Sequence, residues 1–249
     1  MKTLEGKNAL VCGSSRGIGR ACAVAFAEAG ARVTLLARRR EVLEQVRATL
    51  PGAGHDVLVA DCDQPERVRD EVARYLETAP PFHVLLNNTG GPPAGEIRRA
   101  EPQAFRQAFE RHLVCGHLIT QLLLEGMEAE GYGRVINIIS TSVWQPIPGL
   151  GVSNTIRGAV AAWAKTLAAE VAPLGITVNN ILPGATDTDR LRELIDTPEK
   201  IRAWMEKIPA GRFARPEETA AAVVFLASPA AAYITGVSLP VDGGRTECL

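Results

Sequence analysis

The sequence predicts an α/β fold, with a doubly wound and mostly parallel sheet of seven strands and helices on both faces. Short apolar strands alternate with helical stretches along all 249 residues, and this alternation favours parallel pairing. A glycine-rich run, Gly13 to Gly19, stands where the first strand gives way to a helix. Loops rich in glycine, proline and asparagine follow later strands. A single domain, residues 1–249, is expected from this length.

Each predicted strand is a short apolar run bounded by turn-forming residues. The strands are expected at residues 8–12, 32–37, 57–60, 84–86, 134–139, 176–182 and 237–241. The helices between them show apolar residues at helical spacing, and breakers such as Pro51 and Pro173 end two of them. They are expected at residues 20–28, 41–50, from near 65, then at 102–128, 152–171, 189–207 and 216–226. The ligand of such a sheet binds at the carboxyl ends of its strands.

Charge and cysteine content limit the expected partners. The chain has 27 Lys and Arg against 28 Asp and Glu, so there is no electrostatic reason to expect nucleic acid or an acidic membrane. No apolar run is long enough to span a bilayer. The five cysteines are scattered, with no C-x-x-C pair and no secretory leader, which indicates reduced thiols in the cytoplasm and no metal site. A small-molecule partner is expected.

The run from Gly13 to Gly19 predicts a site for a phosphate-bearing ligand. Its glycines permit a sharp turn and a close backbone approach, and the helix that follows points free N–H groups and a positive dipole at an anion. The spacing G-x-x-x-G-x-G differs from G-x-G-x-x-G and lacks the lysine of a P-loop. The alternative is an ordinary tight turn.

Four segments of the chain carry recognisable motifs. Residues 12–19 are similar to a Thr-Gly-x-x-x-Gly-Ile-Gly loop, and residues 87–90 to an Asn-Asn-Ala-Gly element. Residues 183–188 are similar to Pro-Gly-x-x-x-Thr, and residues 233–244 form a C-terminal pattern with Asp242, Gly243 and Gly244. Together these motifs resemble those of the short-chain dehydrogenase/reductase family, and in particular its 3-oxoacyl-[acyl-carrier-protein] reductase-like members. The resemblance implies a Rossmann-type domain that transfers a hydride between a nicotinamide cofactor and a carbonyl or alcohol. It also implies a substrate lid at about 187–215 and a homotetramer formed through the two long central helices.

Charge after the second strand favours NADP(H) over NAD(H). An NAD enzyme usually presents a carboxylate there, whereas this chain continues into Arg38, Arg39 and Arg40. A guanidinium suits the 2′-phosphate of NADP. We expect Arg38 to bind this phosphate, and Arg16 could reach it as well. The alternative is that residues 38–40 form a solvated helix start.

The resemblance implies further cofactor contacts. Asp61 resembles the aspartate that contacts adenine, although it could also cap the helix near Pro65. Asn88 and Gly90 are expected to shape the loop beside the nicotinamide ribose. The full set of expected cofactor-binding residues is Gly13, Ser15, Arg16, Gly17, Ile18, Arg38, Asp61, Cys62, Asn88, Gly90, Arg157, Pro183, Gly184, Thr186 and Thr188.

The catalytic set of the family, Asn, Ser, Tyr and Lys, is only partly present. Ser140 keeps the serine, whereas Ser153, Arg157 and His112 stand at the tyrosine, lysine and asparagine positions. A serine hydroxyl is a far weaker acid than a phenol, and arginine does not give up its proton. Arg157 could still hold the ribose hydroxyls and polarise a bound carbonyl. His112 is either a proton supplier, directly or through water, or a structural histidine.

Two functions are compatible with these residues. The first is an NADP(H)-dependent oxidoreductase acting on a small carbonyl or secondary alcohol, with an altered proton donor. The second is a protein that binds NADP(H) without turnover, as a sensor or an inert subunit.

Overall fold

The computed structural model describes residues 2–248. One sheet runs in the order β3-β2-β1-β4-β5-β6-β7, and all of its strand pairs are parallel. The predicted doubly wound α/β architecture is therefore confirmed. The strands are β1 (Asn8–Cys12), β2 (Arg32–Ala37), β3 (Asp56–Val59), β4 (Val84–Asn87), β5 (Gly133–Ile138), β6 (Ile176–Pro183) and β7 (Ser238–Val241).

Helices cover both faces of the sheet. They are α1 (Gly17–Glu28), α2 (Arg40–Arg47), α3 (Pro65–Leu76), α4 (Pro102–Phe109), α5 (Cys115–Ala129), α6 (Gly151–Val171), α7 (Asp189–Leu194), α8 (Pro198–Met205) and α9 (Pro216–Ala227). Successive strand residues point to opposite faces, so Val11 packs with Phe26 of α1 and Leu10 packs with Leu123 of α5. One core lies under α1, α2 and α9, and the other lies under α3, α5 and α6.

A row of amide side chains crosses the buried part of the sheet. Asn87, Asn137, Asn180 and Ser238 stand in register on β4, β5, β6 and β7. Each asparagine donates its Nδ2 to the next residue along the row, over 3.0, 2.9 and 3.1 Å in turn. The row satisfies polar groups that burial would otherwise leave unpaired, and it links the four strands from β4 to β7.

Two predicted helices differ from the structure. The helix expected at 102–128 contains a π-helical turn, Glu110–Val114, between α4 and α5. The helix expected at 189–207 is two helices, α7 and α8, because Pro198 forces Thr197 into an extended conformation (φ −125°, ψ 151°). The Thr197 hydroxyl then caps α8 by accepting from the Lys200 N–H over 3.3 Å.

No helix within residues 2–248 combines the length and the apolar character that crossing a membrane requires.

Candidate functional site

A cleft of about 580 Å³ opens at the carboxyl ends of the strands. The loops after β1, β2, β3, β4, β5 and β6 all contribute to its walls, as expected for a parallel sheet of this kind. The structure brings every cofactor-binding residue that the sequence predicted into the lining of this one cleft. These are Gly13, Ser15, Arg16, Gly17, Ile18, Arg38, Asp61, Cys62, Asn88, Gly90, Arg157, Pro183, Gly184, Thr186 and Thr188.

The glycine loop is packed so closely that side chains would not fit. Gly13 has a φ of +62°, and a Cβ there would come within 2.5 Å of the Asn88 carbonyl oxygen. A Cβ at Gly19 would overlap the Gly13 carbonyl oxygen. The Asn88 Nδ2 donates to the carbonyl oxygens of Cys12 and Gly13, each over 3.3 Å. Asn88 therefore fixes the loop against β4 and keeps the start of α1 open to the cleft.

The amino end of α1 has the properties of an anion site. The helix begins at Gly17, three residues before the sequence-predicted start, and no side chain caps it. Its first turn carries no acidic residue. The free N–H groups and the positive end of the helix dipole thus face the cleft without a protein partner, which suits the pyrophosphate of a dinucleotide.

The arginines after β2 divide into two groups. Arg38 and Arg39 are exposed and line the cleft, whereas Arg40 starts α2 and lies 3.9 Å from Glu44. The solvated-helix-start interpretation therefore applies to Arg40. The Arg16 Nη1 lies 3.4 Å from Asp189 and 4.0 Å from Glu193 on α7, in an exposed ion pair. The contact of Arg16 with a 2′-phosphate stays a prediction.

Asp61 does not cap the helix that follows β3. Gln64 is the residue before α3, and no side chain caps that helix. The Asp61 Oδ1 instead accepts from the Asp63 N–H over 3.1 Å, which closes a turn at the cleft wall. The capping alternative is therefore wrong, whereas the contact of Asp61 with adenine stays a prediction.

Ser140, Ser153 and Arg157 all line the cleft. Ser140 follows β5, and its Oγ accepts from the Ser142 N–H over 3.1 Å. Ser153 and Arg157 are one helical turn apart on α6, so they share a face. The Arg157 Nη1 donates to the Ile138 carbonyl oxygen over 2.7 Å. Burial, with a contribution from Arg190, lowers the pKa of Arg157 to about 10, so this guanidinium remains charged at neutral pH.

His112 lies behind the cleft and not in its lining. The π-helical turn places it in a small pocket of about 20 Å³ beside Arg157, and its side chain is buried. Its Nδ1 lies 2.5 Å from the Thr89 hydroxyl, and its Nε2 has no hydrogen-bond partner. Burial, together with Arg157 and Arg111, holds its pKa well below the ordinary value. The role of His112 as a proton supplier was predicted because an ordinary histidine has a pKa near neutrality. In this structure the pKa of His112 is too low for that argument to apply.

The cleft wall also contains residues that the sequence did not assign to the site, and four of them make notable contacts. Thr89 contacts His112, and Arg190 of α7 donates to the Pro92 carbonyl oxygen. Trp204 of α8 and Arg245 of the C-terminal segment line the same wall. Thr89 lies in the 87–90 motif, and Arg190 and Trp204 lie in the segment 187–215. No local pattern assigns these side chains or Arg245 a contact with the cleft, because that contact arises through tertiary packing. Among residues 2–248, no group of three or more His, Cys, Asp or Glu side chains is arranged to hold a metal ion.

Comparisons with known proteins match almost the whole chain. A family profile described as Enoyl-(Acyl carrier protein) reductase matches residues 13–246. The 3-oxoacyl-[acyl-carrier-protein] reductase FabG of Vibrio cholerae serotype O1 is 34% identical over 241 residues, which are 97% of this chain and 98% of the relative. A solved structure titled short chain dehydrogenase/reductase family protein has a TM-score of 0.88 at 33% identity, and covers 98% of this chain and 99% of its own.

The chain belongs to the short-chain dehydrogenase/reductase family. The crystal structure of L-sorbose reductase from Gluconobacter frateurii, complexed with NADPH and L-sorbose, has a TM-score of 0.93 at 32% identity and covers 100% of this chain and 99% of its own. The family consists of NAD(P)-dependent oxidoreductases, so these comparisons support an oxidoreductase. They lend no support to the alternative of a nucleotide-binding protein without turnover.

Proposed function

We propose that this member of the family is an NADP(H)-dependent oxidoreductase that transfers a hydride between the nicotinamide and a small carbonyl compound or secondary alcohol. The observation that carries the proposal is the continuity of one cleft. It runs from the open start of α1 and Arg38 to the polar group formed by Ser140, Ser153 and Arg157. Such a cleft can hold an anionic dinucleotide with its reactive end beside a second small molecule.

The residues present fit NADP(H). The open start of α1 and the glycine loop would hold the pyrophosphate, and Arg38 with Arg39 would hold the 2′-phosphate. Asp61 and Cys62 would lie along the adenosine. Arg157 would hold the nicotinamide ribose, with Pro183, Gly184, Thr186 and Thr188 beside the nicotinamide amide.

The chain's own residues supply the polarisation of the substrate oxygen. The bound nicotinamide supplies the hydride chemistry. The hydroxyls of Ser140 and Ser153 donate hydrogen bonds to the oxygen, and the charge of Arg157 stabilises the negative charge that develops there. Water at the cleft delivers the proton through these hydroxyls, since Ser153 is too weak an acid to release one unaided. His112 acts as a positioning residue that holds Thr89 at the cleft wall.

The test is NADPH oxidation by the purified chain over a panel of 3-oxoacyl thioesters, diketones, quinones and sugar ketones. We expect turnover with at least one class, and loss of that turnover in Ser140→Ala. Silence of the parent across the panel, combined with activity gained by Ser153→Tyr with Arg157→Lys, would instead indicate a cofactor binder.

The choice of NADP(H) is tested at the arginines after β2. Arg38→Gln should reduce the preference for NADPH over NADH about tenfold or more, because it removes a charge-assisted bond to the 2′-phosphate. The matched control is Arg40→Gln, because the Arg40 side chain of the parent pairs with Glu44 on α2. Cofactor titrations by fluorescence measure both preferences. Equal preferences in the two variants would contradict the assignment.

We further propose a homotetramer in the cytoplasm, assembled through the helices at 102–128 and 152–171, with residues 1–249 as one domain and residues 187–215 as a lid over the substrate. The exposed aromatic side chain of Phe109 on α4 supports an interface at these helices. Sedimentation of the parent and of Phe109→Lys tests the assembly, and the substitution should shift it toward smaller species.

A further inference from the structure

The C-terminal segment is folded so that it presents Arg245 to the cleft. The Asp242 carboxylate accepts from the N–H groups of Gly244 and Thr246, over 3.0 and 2.9 Å, and from the Thr246 hydroxyl over 2.8 Å. These bonds close a compact turn and use the only carboxylate within that turn. They restrain the backbone from which the Arg245 side chain extends.

Two other elements hold the Arg245 guanidinium in place. Its Nη1 donates to the hydroxyl of Thr141, the residue that follows Ser140, over 3.3 Å. Its Cζ lies 5.4 Å from the centre of the Trp204 ring on α8, within the range of a cation–π contact. Within residues 2–248, Arg245 takes part in no ion pair with a carboxylate. Three elements thus position a half-buried charge that pairs with no side-chain carboxylate among residues 2–248.

Arg157 and Arg190 also line the cleft, and of these two only Arg190 pairs with a carboxylate among residues 2–248. Arg157 is buried and donates a hydrogen bond to the Ile138 carbonyl oxygen. Arg190 pairs with Glu193 over 3.4 Å. The acidic residues of the cleft wall are engaged or lie at the adenosine end. Asp189 pairs with Arg16 and Asp63 pairs with Arg111, while Asp61 closes its turn after β3. The end that contains Ser140 therefore has an excess of positive charge.

The phosphates of the cofactor lie too far away to be the partner of Arg245. Thr141 follows β5, the glycine loop follows β1 and Arg38 follows β2, in a sheet ordered β2-β1-β4-β5. With strands about 4.8 Å apart, the pyrophosphate site is about 10 Å and the 2′-phosphate site about 14 Å from β5. We therefore expect an anion bound at Arg245 to belong to the second molecule in the cleft.

We propose that the substrate carries a carboxylate, bound by Arg245, while its carbonyl lies at Ser140 and Ser153. This inference rests on the proposed oxidoreductase function and narrows its substrate to oxo or hydroxy acids. With Nη1 held by Thr141, the guanidinium still presents N–H donors that match the two oxygens of a planar carboxylate. The buried charge of Arg157 adds to the attraction of an anion.

The experiment compares oxo acids with their own methyl esters. NADPH oxidation is measured for 2-oxo, 3-oxo and 4-oxo acids, for the ester of each, and for phosphonates of matched length. At one chain length we expect kcat/KM for the acid to exceed that for the ester about tenfold or more. Arg245→Gln should bring this ratio close to one, and Arg245→Lys, which keeps the charge, should retain part of it.

Arg202→Gln is the matched control, because Arg202 lies on α8 but outside the cleft lining and pairs with exposed Glu199. It should keep the parent ratio. Esters that react as well as acids at every length, a preference for the phosphonate, or a ratio unaffected by Arg245→Gln would each overturn the proposal and leave the oxidoreductase function standing.

A binding measurement separates this proposal from the proposed function. Calorimetric titration of the same acids and esters into the protein saturated with NADP⁺ requires no turnover. Acid binding that exceeds ester binding and is lost in Arg245→Gln supports the carboxylate site even if every compound fails to oxidise NADPH. Absence of acid binding in the parent overturns it.

Discussion

Gly19 shows how a single residue decides whether the glycine loop can form. A Cβ at this position would overlap the Gly13 carbonyl oxygen and come within 2.6 Å of the Asn88 Nδ2. Neither atom can yield without moving the loop. We expect Gly19→Ala to weaken NADPH binding at least about tenfold in a fluorescence titration.

Gly158→Ala on α6 is the control for that substitution, since a Cβ there meets no atom within 4 Å. It should keep the NADPH affinity of the parent and raise the free energy of unfolding by about 0.5–1 kcal/mol, because alanine favours a helix over glycine. Equal NADPH affinities in the two variants would show that the loop tolerates a side chain at Gly19.

His112 makes stability depend on pH. Its pKa in the folded protein is well below the ordinary value, whereas in the unfolded chain it is about 6.5. The unfolded state therefore binds more protons below that pH. The free energy of unfolding should fall as the pH drops through about 6.5, by at most about 1.4 kcal/mol per pH unit from this residue.

Urea unfolding at about pH 7.5 and pH 5.5 measures this contribution. The parent should lose more stability between the two than His112→Asn does. Burial also lowers the pKa of His83, but His83 is common to both proteins, so the difference isolates His112. Equal losses would mean that the imidazole is not buried in its neutral form.

Among the helices, α8 depends on a single cap. The Thr197 hydroxyl accepts from the Lys200 N–H at the start of this eight-residue helix. Thr197→Ala should destabilise α8 by about 1 kcal/mol, whereas Thr197→Ser should preserve the cap. Hydrogen exchange of the α8 amides measures the effect, and exchange in the alanine variant as slow as in the serine variant would contradict it.

The sequence predicted elements well where local residues determine them. The run from Asn8 to Cys12 is apolar and bounded by polar residues and glycine, so its strand was predictable, and the motifs located the cofactor loops. Thr197 and Pro198 are residues typical of a helix start, but the apolar spacing across 189–207 favoured one continuous helix, so this boundary was not predicted. The π-helical turn at His112 and the cleft contact of Arg245 arise from packing between distant segments, which no local pattern encodes.

For the whole molecule, the row of amides should contribute to the cohesion of the sheet. Asn137 is buried between Asn87 and Asn180. Asn137→Leu would leave a donor and an acceptor unpaired, and we expect the free energy of unfolding to fall by at least about 2 kcal/mol. Gln45→Leu, on the exposed side of α2, should change it by less than about 0.5 kcal/mol. Thermal unfolding checks both, and similar midpoints would contradict the role of the row.

The widened turn at Glu110–Val114 sets the angular phase between two helices that face different neighbours. It lets α4 pack Ala108 against Val152 and Ile156 of α6, while α5 keeps Leu123 and Met127 under the sheet. Each residue of an α-helix advances the rotation by about 100°. A variant shortened by one residue here would regain regular α-helical bonding, yet it would turn Ala108 away from α6 and His112 away from Thr89. The number of residues in the turn Glu110–Val114 therefore matters for packing as much as their identity does.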